Sequence, residues 1–90
     1  MKFKIKCTKN INKNPNYFIS FSWNEKIIEL DYNYSSDECY VNVDSQSYDD
    51  IEGNDKNLDS IVGVLATFMT GLEFEDMKPG EELELDSENW

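Results

Sequence analysis

The chain is predicted to fold as an α+β domain, an antiparallel β-meander of about four to six strands with one main helix packed on one face. Three observations predict it. Apolar and polar residues alternate with period two through most of residues 2–43. Short polar clusters interrupt the alternation at hairpin-like intervals. Near residue 58 the apolar residues begin to recur at three and four, the spacing of an amphipathic helix.

Each element follows from its own residues. In residues 2–8, Phe3, Ile5 and Cys7 oppose Lys2, Lys4 and Lys6, a strand with one wet face. Residues 9–16 hold Pro15 and four asparagines and read as a polar loop. Residues 17–23 repeat the alternation with Tyr17, Ile19, Phe21 and Trp23 against Ser20 and Ser22. After the short turn 24–26, residues 27–34 place Ile28, Leu30, Tyr32 and Tyr34 inward and Glu29, Asp31 and Asn33 outward. Residues 35–38 turn the chain into a fourth strand with Cys39, Val41 and Val43.

Residues 44–57 are acid-rich, contain Gly53, and read as a loop. The helix is expected over about 58–70, with Leu58, Ile61, Val62, Leu65, Phe68 and Met69 on its apolar stripe. Asn57 is placed to cap its start, Asp59 suits the positive end of its dipole, and Gly71 is placed to end it. Gly63 weakens its intrinsic helicity, so docking on the sheet must stabilise it. Residues 72–90 form an acidic C-terminal arm of the same domain. Leu72 and Phe74, then Leu83 and Leu85, alternate with acids there, which fits two short strands or one strand and an irregular segment.

Ninety residues make a single domain, 1–90, with an apolar fraction of 39%, enough for a core. The amino-terminal alternation is unlike a signal peptide, and no stretch approaches the roughly 18–20 apolar residues of a membrane span. A soluble, cytoplasmic protein is expected. Cys7 and Cys39 are expected to be reduced, small buried hydrophobes; a bridge between them requires neighbouring strands. The many Asn, Lys, Ile, Asp, Glu and Tyr residues fit an AT-rich bacterial or phage gene.

Charge is sorted along the chain. Six of eight lysines lie in residues 1–30, and seventeen of nineteen acids lie after them, within a net charge of −11. Such an acidic excess repels nucleic acid and anionic membrane and attracts basic protein surfaces. The absence of His and Arg removes Ser-His and Cys-His nucleophile pairs, histidine metal sites and the bidentate phosphate clamp. No catalytic residue is assigned, and the protein is not expected to be an enzyme. The acids of residues 44–59 fail the EF-hand pattern in both registers, with Tyr48 first when Gly53 is sixth and Ser60 sixth when Asp55 is first. No metal and no cofactor is expected.

Direct nucleic-acid binding would have to use Lys2, Lys4, Lys6, Lys9 and Lys13 beside Phe18 or Tyr40. Lysines protecting an edge strand explain the first three more simply. The partner-binding residues are therefore sought among the acids, in Asp49, Asp50 and Glu52 and in Glu73, Glu75, Glu82, Glu84 and Asp86. Glu82, Glu84 and Asp86 would stand about 6.6–6.8 Å apart on one strand face, close to the phosphate repeat of a nucleic-acid strand. Tyr48, Phe74 and Trp90 could add apolar anchors.

Over the whole chain, the profile of size, charge and missing catalytic residues resembles that of bacterial toxin-immunity proteins and of phage-encoded inhibitors such as anti-CRISPR and DNA-mimic proteins. No motif carries the resemblance, so it implies a class of partner and no residue. The expected function is binding and neutralisation of a basic nucleic-acid-processing enzyme such as a nuclease. The alternative is a structural or regulatory subunit whose acidic surface is merely solvated.

Overall fold

The computed structural model describes residues 2–70, 74 and 76–86. Its strands are β1 (Lys2–Lys13), β2 (Asn16–Trp23), β3 (Lys26–Asn33), β4 (Glu38–Val43), β5 (Gln46–Ser47) and β6 (Glu82–Asp86). They form one antiparallel sheet in the order β5-β4-β3-β2-β1-β6, so the last strand returns to lie beside the first. One helix, α1 (Lys56–Thr70), packs over β3 and β4. The fold is α+β, as the alternation and the later helical period predict.

One face of the sheet is apolar because the period-two pattern keeps phase with the pleat. Phe3, Ile5, Cys7, Tyr17, Ile19, Phe21, Ile28, Leu30, Tyr32, Val43 and Leu85 are buried there. From the helix, Leu58, Ile61, Val62, Leu65 and Met69 join them, with Val64 beside the stripe. Gly63 and Thr67 remain exposed, so α1 is amphipathic and not buried all round. Phe74 closes the core edge-on to Phe21 and Phe68, at centroid distances of 5.2 and 5.7 Å. Aromatic pairs in this geometry are favourable beyond the area they bury.

Two tight hairpins shape the meander. Asn24 and Glu25 have φ of 49° and 65°, and Asp44 and Ser45 have φ of 51° and 68°. Two successive left-handed residues match the strand twist. Asp44 steadies its turn by accepting a hydrogen bond from Ile27 N at 2.9 Å on Oδ1.

Four expectations are corrected. First, β1 does not end near residue 8; it runs to Lys13, and the turn is confined to residues 14 and 15. A bulge between Cys7 and Lys9 shifts the register, and Thr8 Oγ1 meets Ser20 Oγ at 2.7 Å. Beyond the bulge the pleat phase is reversed. Asn10 and Asn12 therefore pair with the buried Ile19 and Tyr17, and Ile11 turns outward, 42% exposed. The asparagines belong there because they bind backbone and side-chain partners. Asn10 Nδ2 donates to Phe74 O and Met77 O, at 3.0 and 2.5 Å, and Asn12 Oδ1 accepts from Tyr34 Oη at 2.9 Å.

Second, α1 begins at Lys56 and is capped by Asp55, whose Oδ1 accepts from the N–H groups of Asn57 (3.0 Å) and Leu58 (3.2 Å). Gly71, its expected end, lies outside the described residues. Third, residues 44–57 are not all loop, because they hold β5 and a single 3-10 turn, Tyr48–Asp50. Fourth, Lys2, Lys4 and Lys6 do not protect an edge, since β6 pairs outside β1. Cys7 and Cys39 are free, and two strands separate β1 from β4, which excludes a bridge. No helix among the described residues is long and apolar enough to cross a membrane.

Candidate functional site

Strand order decides which charges remain available. Because β6 pairs antiparallel with β1, Lys2 faces Asp86, Lys4 faces Glu84 and Lys6 faces Glu82 across the ladder. Diagonal ion pairs form on this face, Lys2 Nζ with Glu84 at 3.6 Å and Lys4 Nζ with Glu82 at 3.8 Å. All four side chains are more than half exposed, so each pair adds little stability. Their effect is on the outside field: lysines compensate the carboxylate ladder of the C-terminal strand.

The acids at the other edge have fewer lysines about them, Lys26 near Asp44 and Asp55 and Lys56 at the start of α1. Residues 26–59 carry ten carboxylates and two lysines, and they build β3, β4, β5, the 3-10 turn and the start of α1. Asp49, Asp50 and Glu52 are exposed in and just after the 3-10 turn. On the open face of the sheet, Asp31 stands between Phe18 of β2 and Tyr40 of β4, with Ile11 next in the same row. Tyr40 is 62% exposed and donates to Glu38 Oε2, a bond that holds its phenol above the ordinary tyrosine range.

The residues singled out from the sequence therefore split. Asp49, Asp50 and Glu52 lie at the β5 edge, and Glu82, Glu84 and the position of Asp86 lie at the β6 edge, with four strands between them. At about 4.7–4.9 Å per strand, the two groups are not one patch. Glu73, Glu75 and Trp90 lie outside the described residues. Glu29, Asp31 and Glu38 were missed, although their outward positions on strands flanking an acidic segment were visible in the alternation. Tyr48 is half-buried and Phe74 buried, so neither offers a free anchor.

A groove of about 450 Å³ runs along the acidic edge, between β4 and α1. Cys39 and Val41 line it from the strand, Tyr48 from the 3-10 turn, and Val62, Gly63 and Ala66 from the helix. It exists because the helix presents small residues here and because a Cβ at Gly63 would meet nothing within 4 Å. Asp49, Glu52 and Asp59 supply its carboxylates, and no lysine lines it. Asp59 Oδ1 accepts from Tyr48 Oη at 2.6 Å and from Gly53 N at 3.3 Å. Burial, then the negative charge of Asp31, pushes the Cys39 thiol up, which keeps it protonated and weakly nucleophilic at neutral pH. No group of three or more Cys, Asp or Glu residues among those described is arranged to hold a metal ion.

Comparison with protein-family models, with curated proteins and with solved structures gives no match.

Proposed function

We propose that this chain is a small acidic binding protein that neutralises a basic, nucleic-acid-processing enzyme by covering part of its cationic substrate surface. The observation that carries the reading is the acid-rich edge formed by β3, β4, β5 and the 3-10 turn. Ten carboxylates and two lysines occupy residues 26–59, while Lys2 and Lys4 of β1 pair with Glu84 and Glu82 of β6. A field of one sign accelerates capture of an oppositely charged partner and opposes wrong ones. The binding face thus moves from the C-terminal ladder to Asp49, Asp50 and Glu52 together with Glu29, Asp31 and Glu38.

Two settings suit this activity, immunity to a nuclease toxin and phage inhibition of a host defence nuclease. In both the protein acts in the cytoplasm, where two free cysteines are in keeping with a reducing medium.

The test is affinity for a panel of purified basic nucleases at 50 and 500 mM salt. One or more should bind, with association slowing steeply at high salt. The triple reversal Asp49→Lys, Asp50→Lys and Glu52→Lys should reduce binding by about tenfold or more, and Glu82→Gln with Glu84→Gln should change it less than about threefold. The reading fails if no nuclease binds, or if the β6 pair matters more than the β5 edge.

A further inference from the structure

We infer that the outer edge of β4 is a strand-addition site that takes an extended partner segment of alternating apolar and basic residues. This rests on the binding reading above and names the surface and the chemistry of what it receives. β5 covers only part of β4, pairing with Asn42 and Val43. Among the described residues, no strand lies outside residues 38–41.

The backbone there points outward. Asp44 N donates to Ile27 O, so Asp44 directs its polar groups toward β3. In an antiparallel ladder alternate residues point the same way. Asn42 and Tyr40 therefore face β3, and Cys39 and Val41 turn their N–H and C=O away from it; the register of β5 sets Val41 opposite Tyr48, so Cys39 presents the open pair of groups. Unpaired edge groups of this kind are a template for another strand.

The surroundings specify the strand. On the core side, the groove receives every second side chain; Val41, Val62, Gly63 and Ala66 offer it apolar contacts, and Asp49, Glu52 and Asp59 line the groove as well. On the open side, the intervening side chains stand beside Glu38 and Tyr40, with Asp31 beyond Tyr40 in the same row. Lysine or arginine fits there. The same cross-strand chemistry already operates within the chain, where Lys2 and Lys4 of β1 meet Glu84 and Glu82 of β6. A second copy is disfavoured, because β4 against β4 would set these carboxylates against one another.

The probe is the blocked hexapeptide Lys-Val-Lys-Val-Lys-Val, with two variants, one N-methylated at every valine and one at every lysine. It should bind the full chain and slow amide hydrogen exchange at Cys39. In an added strand only one alternate set of amides faces β4, so one methylated peptide should lose binding and the other keep it. Gly63→Leu, which fills the groove while favouring helix, should weaken binding by about tenfold, and Gly63→Ala should weaken it less. Equal binding by both methylated peptides, with no protection of Cys39, would overturn strand addition and leave the acidic-surface reading standing. Failure of every peptide to bind overturns it too, as does protection of the same amide by self-association without peptide. Nuclease binding lost only on reversal of Asp49, Asp50 and Glu52, and not in Gly63→Leu, assigns the partner to charge alone.

Discussion

Tyr48 donates its phenolic hydrogen to Asp59 Oδ1 at 2.6 Å, tying the 3-10 turn that follows β5 to the first turn of α1. This bond fixes one end of the groove beside β4. It also gives the Asp59 carboxylate, near the positive helix end, a second donor beside Gly53 N.

Burial first, and then the bond to Asp59, raise the Tyr48 pKa above its ordinary value. A group raised in the folded state stabilises the fold fully below its unfolded value of about 10 and loses that effect as pH rises through the folded value. Stability of the wild type should therefore fall as pH climbs above about 10, and Tyr48→Phe should make that fall shallower. At pH 7 the same variant should cost about 1 kcal/mol. Urea midpoints measured at intervals from pH 7 to 11 check both; parallel curves would exclude the role assigned to this phenol.

Loss of the helix cap separates two neighbouring residues. Asp55→Ala should destabilise by about 1 kcal/mol, since two N–H groups lose their acceptor. Asn57→Ala should change stability by less than about 0.5 kcal/mol. Equilibrium urea denaturation distinguishes them, and equal costs would argue against Asp55 as the cap.

Asn10 holds the segment between α1 and β6 by donating to Phe74 O and Met77 O. Asn10→Ala should cost about 1–2 kcal/mol, because Met77 O and Phe74 O each lose a donor and Phe74 O keeps only Met77 N. Hydrogen exchange should accelerate at Met77 N and Gly80 N, which bond to Phe74 O and Cys7 O, more than in β3. Uniform acceleration across the sheet would instead mean that the side chain only supports global stability.

The ion pairs between β1 and β6 are exposed, so the double variant Glu82→Gln, Glu84→Gln should lose less than about 1 kcal/mol. A loss several times larger in urea denaturation would show that the ladder is held by charge and not by Leu85 and its backbone pairing.

Alternation in the sequence was enough to place the buried faces of the first four strands, since a pleat with one wet side requires period two. The shift to three-and-four spacing likewise placed α1 and its stripe, apart from its cap. Asn10 and Asn12 looked like loop residues because the bulge that reverses the pleat leaves no hydrophobic mark; their partners, Phe74, Met77 and Tyr34, are set by the fold.

The charge sorting along the chain, the lack of His and Arg and the apolar periodicities belong to the sequence alone, because composition and local spacing need no neighbour to be read. Which acids remain available was decided only by the tertiary structure. Placing β6 beside β1 brings Glu82 and Glu84 to lysines some eighty residues earlier, and a two-residue β5 leaves the edge of β4 open beside Asp49 and Glu52. The physical reason is that a strand's sequence encodes which of its faces is apolar, whereas the strand it pairs with is chosen by how the whole sheet and helix bury their common core.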